Sequence, residues 1–183
     1  MRKIILFIVL SILVGISDSN AQIIDFGKYT GGQYWSVTND GVMGGLSKGN
    51  AWLSDSTVVF KGEVSLDNNG GFSSLRSPYN ALDLSMYKSA EIRLKASGLD
   101  FSVTFAKNRR FYIPNYKYVM KLESNQWEVV TFDLDELKEY RLGNATGETI
   151  SQRDLKNLIG ISFINEGKEE GPFVLEVDYI KFK

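Results

Sequence analysis

The sequence predicts an all-β protein, a single jelly-roll β-sandwich with one or two short helices. Short runs in which apolar and polar residues alternate recur along the chain, with turn-forming Gly, Asn, Asp and Ser between them. Such runs at regular spacing are typical of sandwiches and barrels. No βαβ alternation occurs, and the first and last strand-like runs are equally apolar, which favours the jelly roll. Since no linker, repeat or low-complexity run interrupts residues 22–183, we expect one domain there.

The first 21 residues have the pattern of a secretory signal peptide. A basic start is followed by the apolar residues 4–16 and then by Ser19, Asn20 and Ala21, a small-residue end at which cleavage is expected. The apolar run is too short for a mature transmembrane helix, which needs about 20 residues. The pattern predicts export to the periplasm or the extracellular space, with no stable membrane anchor after cleavage. An uncleaved N-terminal anchor is the alternative.

Composition limits the chemistry that the chain can perform. The 183 residues include 21 Lys and Arg against 22 Asp and Glu, a net charge of −1, with no Cys and no His. Removing Arg2, Lys3 and Asp18 with the leader leaves 19 against 21, or −2. This balance gives no electrostatic reason to expect nucleic acid as a partner. Without His and Cys, a Ser-His-Asp triad, a Cys-His pair and an ordinary zinc site are excluded.

The first half of the chain predicts four strands, two before and two after a glycine-rich segment. Short strands are expected at residues 23–26, 34–38 and 51–54. The clearest alternation is at residues 57–66, which predicts a half-buried antiparallel strand. One face of that strand would carry Val58, Phe60, Val64 and Leu66, and the other Lys61, Glu63 and Ser65.

The second half predicts further strands and a little helix. Alternating or apolar runs predict strands at residues 91–96, 101–106, 116–122, 127–134, 158–164 and 173–182. Residues 135–140 are expected to form a helical turn and residues 143–147 a loop. Ser151 can cap a short helix, because its side chain can accept a hydrogen bond from the Asp154 backbone N–H. Leu155 and Leu158 would share one face of that helix.

Two glycine-rich segments, residues 39–49 and 68–76, are the most distinctive part of the sequence. Each places Asn or Asp beside paired glycines, a combination that suits positive φ angles and close approach of the backbone. They could be turns or bulges that hold the register of a sheet. They could also form a binding surface, for which the candidate residues are Asn39, Asp40, Gly44, Gly45, Ser47, Asn68, Asn69 and Arg76. The Arg76 guanidinium suits a carboxylate, either in a ligand or on Asp40 as a structural pair.

These segments resemble the signature of the complex I intermediate-associated protein family. The resemblance rests on residues 35–49, on residues 60–62 followed by 68–76, and on residues 171–180 as the last strand. It implies a galactose-binding-like jelly roll, close to carbohydrate-binding modules. Mitochondrial members of the family assist assembly of respiratory complex I as chaperones. For a chain with a secretory leader, the resemblance implies a non-catalytic exported protein that binds or assembles a protein partner.

A carbohydrate-binding module is the alternative function. The basic, aromatic loop that begins at Lys107, with the strand that follows it to Tyr118, offers rings on which sugars can stack and side chains that can bond hydroxyls. The candidate residues are Arg109, Arg110, Phe111, Tyr112, Tyr116 and Tyr118, with Trp127 in the next strand. Alternation would place Tyr116, Tyr118 and Met120 on one face, where they could equally be core or cross-strand pairs.

Acidic residues suggest two further sites. Asp25 and Asp178 would be adjacent if the first and last strands pair, and modules related to the family often hold a structural calcium in this way; solvated acids are the alternative. Asp133, Asp135 and Glu136 could include a glycosidase pair, but they stand at an expected helix start, where acids are favoured. No other cofactor is expected. Residues 144–146 match a glycosylation acceptor.

Overall fold

A computed structural model describes residues 21–27 and 31–183 of the chain. The predicted signal peptide, up to Asn20, lies outside these residues. In the part that is described, no helix has both the length and the apolar character needed to cross a membrane.

The described residues form two antiparallel sheets, as the jelly-roll prediction requires. The six-stranded sheet has the order β3-β4-β13-β6-β9, and β1 pairs with β13 as its sixth strand. Its strands are β1 (Gln22–Asp25), β3 (Lys48–Leu53), β4 (Val58–Val64), β6 (Ser89–Ser97), β9 (Glu128–Asp133) and β13 (Gly171–Phe182). First and last strands are therefore neighbours, which meets the condition under which Asp25 and Asp178 were expected to be adjacent.

The seven-stranded sheet has the order β11-β10-β8-β7-β12-β5-β2. Its strands are β2 (Ser36–Asn39), β5 (Ser73–Arg76), β7 (Phe101–Ala106), β8 (Asn115–Met120), β10 (Lys138–Arg141), β11 (Asn144–Thr149) and β12 (Gly160–Asn165). The described residues also include one α-helix, α1 (Gln152–Leu155), and 3₁₀ turns at Asp40–Met43, Asp67–Asn69 and Leu134–Glu136. The Ser151 cap is confirmed, since its Oγ accepts from the Asp154 N–H at 3.1 Å.

The core lies between the two sheets and follows the alternation read from the sequence. Phe60, Phe101 and Phe173 meet there, with ring centroids 4.8 to 6.2 Å apart. All three rings are fully or almost fully buried. Leu66 was expected on the same face as Phe60 but is largely exposed, because β4 ends at Val64 and the chain turns away.

A bulge in β13 keeps that strand in contact with the core along its whole length. Val177 pairs with Leu94 of β6, and Tyr179 pairs with Arg93, so Asp178 is an extra residue in the ladder. Before the bulge Val177 is buried, and after it Ile180 is buried. An inserted residue of this kind shifts which side chains face inward.

The prediction for residues 135–147 was partly wrong. Only the Leu134–Glu136 turn is helical, and Asp133 and Glu136 form its capping box, which accounts for the acids at this position. Residues expected to continue that turn and then to form a loop instead make the β10–β11 hairpin. Leu142 and Gly143 connect the strands with φ angles of 50° and 81°, as in a two-residue type I′ turn. Leucine rarely adopts such an angle, so the sequence does not indicate the turn.

Candidate binding surfaces

Asp40 joins the two glycine-rich segments. Its side chain is buried, with 1% of its surface exposed. Oδ1 accepts from the Ser47 N–H at 3.0 Å, and Oδ2 accepts from the Ser47 hydroxyl at 2.5 Å. Oδ2 also accepts from the Gly71 and Phe72 N–H groups at 2.7 and 3.2 Å. One carboxylate therefore holds residues 47, 71 and 72 together.

The charge of Asp40 is stabilised by these hydrogen bonds. Burial alone would raise the pKa of this carboxyl, but the Ser47 hydroxyl and the N–H groups of Gly71, Phe72 and Ser47 outweigh burial and lower it. Within the described residues no cation pairs with Asp40. The predicted Arg76–Asp40 pair does not form, because Arg76 faces away and its Nε donates to the Ser74 Oγ at 2.8 Å.

Two glycines allow the backbone to approach the Asp40 carboxylate. A Cβ atom on Gly45 would lie 2.4 Å from Asp40 Oδ1, and one on Gly70 would lie 2.6 Å from Oδ2. Gly44 has φ 92° and ends the 3₁₀ turn. Asn39 adds a second connection, since its Oδ1 accepts from the Gly49 N–H at 3.0 Å and from the Ser73 Oγ at 2.6 Å. We call this unit, residues 39–49 with 65–73, the double loop.

The predicted residues of the double loop thus have different roles. The structure brings together Asn39, Asp40, Gly44, Gly45 and Ser47 as an internal hydrogen-bonded framework. Asn68 and Asn69 are exposed and adopt left-handed angles, with φ of 54° and 60°. Arg76 lies outside the double loop, on the outer face of the seven-stranded sheet.

The solvent side of the double loop is apolar. Val42, Met43 and Leu46 are 76%, 73% and 52% exposed, although their backbone is held by the Asp40 framework. We call these three residues the apolar tip. Exposed apolar side chains that are grouped on an ordered loop are typical of interaction surfaces.

Tyr116 does not belong to a surface site. Strand alternation turns its ring into the core, and its hydroxyl donates to Asp154 Oδ2 at 2.5 Å and accepts from Lys107 Nζ at 2.7 Å. Burial, followed by the neighbouring Asp154 and Glu139 carboxylates, raises the pKa of this phenol. Because the ring is only 1% exposed, a surface glycan cannot stack on Tyr116 as predicted.

The rest of the aromatic, basic loop is on the surface. Phe111 and Tyr112 are exposed and contact each other edge to face. Arg109 lies over the ring of Tyr79, 5.3 Å from its centroid, and Arg110 is exposed. The Trp127 predicted to accompany this loop lies elsewhere, on the six-stranded sheet below Arg93.

The outer face of the seven-stranded sheet is lined with hydroxyl groups. Phe101, Val103 and Phe105 face the core, so Ser102 and Thr104 between them face outward. Both are nevertheless buried, with 0% and 8% exposed. In the register of the sheet, Thr104 is followed on one side by Ser162 and then by Arg76 and Ser36, and on the other by Lys117. We call the outward side chains of Ser74, Ser102, Thr104 and Ser162 the hydroxyl floor.

Two tyrosines flank the hydroxyl floor, each beside a cation. Tyr140 faces outward from β10, and Lys117 lies 4.1 Å from its ring centroid. Tyr79 packs against Gly160 of β12 below Arg109, since a Cβ on that glycine would lie 3.2 Å from the tyrosine ring. Three strand spacings separate β12 from β10, about 14 Å at 4.8 Å per strand.

Only part of the hydroxyl floor could be predicted from the sequence. The alternation of residues 101–106 indicated that Ser102 and Thr104 turn away from the core. The sequence does not indicate that Tyr79 and Tyr140 lie on the same face. The order of the strands in the sheet brings them there, and that order is not visible in any local pattern.

The predicted calcium site lacks a ligand set in the described residues. Asp25 lies opposite Tyr179, next to Asp178, but the Asp178 carboxylate forms an ion pair with Arg93. Asp25 Oδ1 accepts from the Gly27 N–H at 2.7 Å. No group of three Asp, Glu, His or Cys side chains suitable for a metal occurs in the described ranges. Calcium requires six to eight oxygen ligands, so these residues do not fit it.

Comparison with known proteins agrees with this architecture. The model of the family described as complex I intermediate-associated protein 30 matches residues 24–177. No curated protein sequence matches the chain. A family 11 carbohydrate-binding module from Clostridium thermocellum, solved with a β-1,3-1,4-mixed-linked tetrasaccharide, superposes with a TM-score of 0.64 at 15% identity, over 88% of this chain and 94% of that one.

Two further structures are similar. The family 11 module of a cellulosomal cellulase of the same organism gives a TM-score of 0.64 at 15% identity, over 91% of this chain and 95% of that one. An agarase gives 0.55 at 12% identity, over 87% of this chain and 24% of the enzyme. At these identities the likeness shows a common fold, the jelly-roll sandwich.

Proposed function

The chain belongs to the complex I intermediate-associated protein 30 family, and from this premise we propose that it is a non-catalytic binding domain. The Asp40 framework, the most distinctive polar cluster of the family motif, is internally satisfied and buried. The framework fixes the shape of the double loop, and its own polar side chains are engaged in doing so and are not free for catalysis. The resemblance in fold to carbohydrate-binding modules supports the same proposal.

We propose that the ligand is a glycan chain bound along the hydroxyl floor. The observation that carries this proposal is the pair of cation-backed tyrosines, Tyr79 and Tyr140, at the two ends of a polar floor. The apolar face of a sugar ring can stack on a tyrosine, and hydroxyl groups can bond Thr104, Ser162 and Arg76. Arg109 of the predicted aromatic loop borders this surface through its contact with Tyr79.

The floor suits a sugar better than a charged small molecule. Lys117 is already neutralised, because its Nζ lies 2.7 Å from Glu166 Oε1, which also accepts from the Ser102 hydroxyl at 2.6 Å. Ser74 and Ser102 are buried and already hydrogen bonded. The neutral groups left for a sugar are therefore the hydroxyls of Thr104 and Ser162. Such a surface gains specificity from many modest hydrogen bonds rather than from one strong ion pair.

Removing either flanking ring is expected to weaken glycan binding about tenfold or more, the range found when aromatic contacts in binding sites are truncated. The full chain would be screened on a glycan array and then titrated with β-1,3-1,4-mixed-linked tetrasaccharide by calorimetry, with Tyr79→Ala and Tyr140→Ala as variants. Trp127→Ala, which removes a partly exposed ring on the six-stranded sheet, is the control. Silence of the folded protein on the array, or unchanged affinity in both variants, would refute the glycan proposal.

A second candidate function is protein binding through the apolar tip. The observation that favours it is that Val42, Met43 and Leu46 are exposed on a loop whose base is rigidly hydrogen bonded. A rigid apolar surface loses little conformational entropy on docking into an apolar groove of a partner protein. Association with an intermediate of complex I, which the family description names, is also binding to a protein partner.

If the tip docks a protein, Val42→Ser combined with Met43→Ser should abolish co-purification of that partner without lowering the melting temperature, because both side chains are in solvent. Cross-linking of the tagged full chain in cells, followed by mass spectrometry, would measure this loss. Met86→Ser, an equally exposed apolar residue outside the double loop, is the control. Competition by free sugars, or a partner retained by the double variant, would count against this candidate.

We further propose that the domain acts after export, on the support of the leader-like residues 1–21. A partner in the cell envelope or outside the cell would then replace a mitochondrial assembly intermediate. The nearly neutral charge of residues 22–183 supports a glycan or a protein rather than nucleic acid.

A further inference from the structure

An open cleft lies on the other side of the sandwich, on the outer face of the six-stranded sheet. Its volume is about 430 Å³, and β3, β4 and the start of β13 form its walls. The lining residues are Lys48, Asn50, Trp52, Lys61, Gly62, Glu63 and Pro172. Small-molecule sites typically occupy about 300–1,000 Å³, so the cleft can hold a sugar residue.

Trp52 is exposed in this cleft, and its ring makes no stacking contact with another described side chain. Of the three tryptophans, Trp35 packs edge to face on Phe26 at 4.8 Å, and Trp127 lies 4.6 Å below the Arg93 guanidinium. Trp52 is 50% exposed, and among the described residues no ring or cation stacks on it. Alternation along β3 places Lys48, Asn50 and Trp52 on the same outer face.

The charged side chains of the cleft form no ion pairs with other described residues. Elsewhere on this sheet face, charged neighbours pair: Lys95 Nζ lies 2.7 Å from Glu176 Oε1, and Arg93 pairs with Asp178. In the cleft, Lys48 stands opposite Glu63 and Asn50 stands opposite Lys61 in the register. No ion pair in the described part of the chain includes Lys48, Lys61 or Glu63. Two ammonium groups against one carboxylate leave the cleft with an excess of positive charge.

We propose that this cleft binds an acidic sugar, a hexuronic acid residue within an oligosaccharide. The sugar ring stacks on Trp52, and its carboxylate lies between the ammonium groups of Lys48 and Lys61. Asn50 and Glu63 take hydroxyl groups. The site is separate from the hydroxyl floor, because the two surfaces are the opposite outer faces of the sandwich.

The test is a titration of the full chain with trigalacturonic acid, followed by tryptophan fluorescence and by calorimetry. We expect saturable binding that Trp52→Ala weakens about tenfold or more, in line with the loss of a central aromatic contact. Trp127→Ala, on the same sheet face, should leave affinity unchanged. Lys61→Gln should weaken binding of trigalacturonic acid and flatten its salt dependence.

The outcomes separate this proposal from the glycan proposal for the hydroxyl floor. Tyr79→Ala should leave trigalacturonic acid binding intact, whereas Trp52→Ala should leave binding of the mixed-linked tetrasaccharide intact. Absence of saturable binding by the folded wild-type chain overturns the acidic-sugar site. So does a Trp52→Ala variant, folded by circular dichroism, that binds trigalacturonic acid as tightly as wild type.

Discussion

Asp40→Ala is expected to lower the free energy of unfolding by about 3 kcal/mol or more. The substitution leaves the N–H groups of Ser47, Gly71 and Phe72 and the Ser47 hydroxyl without their acceptor in a buried site. Each buried unsatisfied group costs about 1–3 kcal/mol, and partial relaxation or entry of water reduces the sum. Urea denaturation followed by circular dichroism measures the change.

The control is Asp67→Ala, which removes an exposed acid from the same double loop and should change stability by less than about 0.5 kcal/mol. The pH dependence gives a second test. Since the folded-state pKa of Asp40 is lowered, its contribution is present above the unfolded-state pKa of about 4 and is lost as the pH falls through the folded-state value. The stability difference between wild type and Asp40→Ala should therefore shrink in acid. A constant difference from neutral pH into that range contradicts this account.

Gly45→Ala is expected to be about as damaging as Asp40→Ala, although it adds only one methyl group. The new Cβ would lie 2.4 Å from both Cγ and Oδ1 of Asp40, a distance that requires the carboxylate or the loop to move. Overpacking usually costs about 1–3 kcal/mol, and here it also breaks the hydrogen bonds of the framework. Urea denaturation is again the measurement.

A matched control lies four residues earlier. Gly41 has no atom within 4 Å of an added Cβ, so Gly41→Ala should be nearly neutral. The double variant Asp40→Ala with Gly45→Ala should cost much less than the sum of the two single changes, because the carboxylate that the new methyl meets is gone. Additive effects would mean that Gly45 is required for another reason.

Period-two alternation is the part of the sequence from which the fold could be predicted most directly. It placed Phe60, Phe101 and Phe173 in the core, because a strand with one buried face has to alternate. The β10–β11 hairpin could not be read in this way. All six residues of β11 are exposed, so burial does not constrain their pattern, and Leu142 occupies a turn position that usually takes Asn or Gly.

The candidate sites were predictable only as segments. The glycine-rich motif indicated that residues 39–49 and 68–76 belong together, but not that Asp40 would be satisfied by N–H groups while Arg76 turned to the opposite side. Asp40 and Gly44 are only four residues apart in the sequence, so a local motif can relate them. The Tyr79–Tyr140 pair depends on the order of four strands, which no local pattern contains.

The extra residue in β13 fixes the parity of the chain's last segment. With Asp178 present, Ile180 and Phe182 point inward after the same strand has already buried Phe173, Leu175 and Val177. If the strand kept all its residues but lost the bulge, both side chains would turn toward solvent and their polar neighbours toward the core. Deletion of Asp178 alone should therefore be tolerated, because the remaining residues alternate regularly and keep both side chains inward. Deletion of Asp178 together with Tyr179 should not be tolerated, because it would turn Ile180 and Phe182 outward.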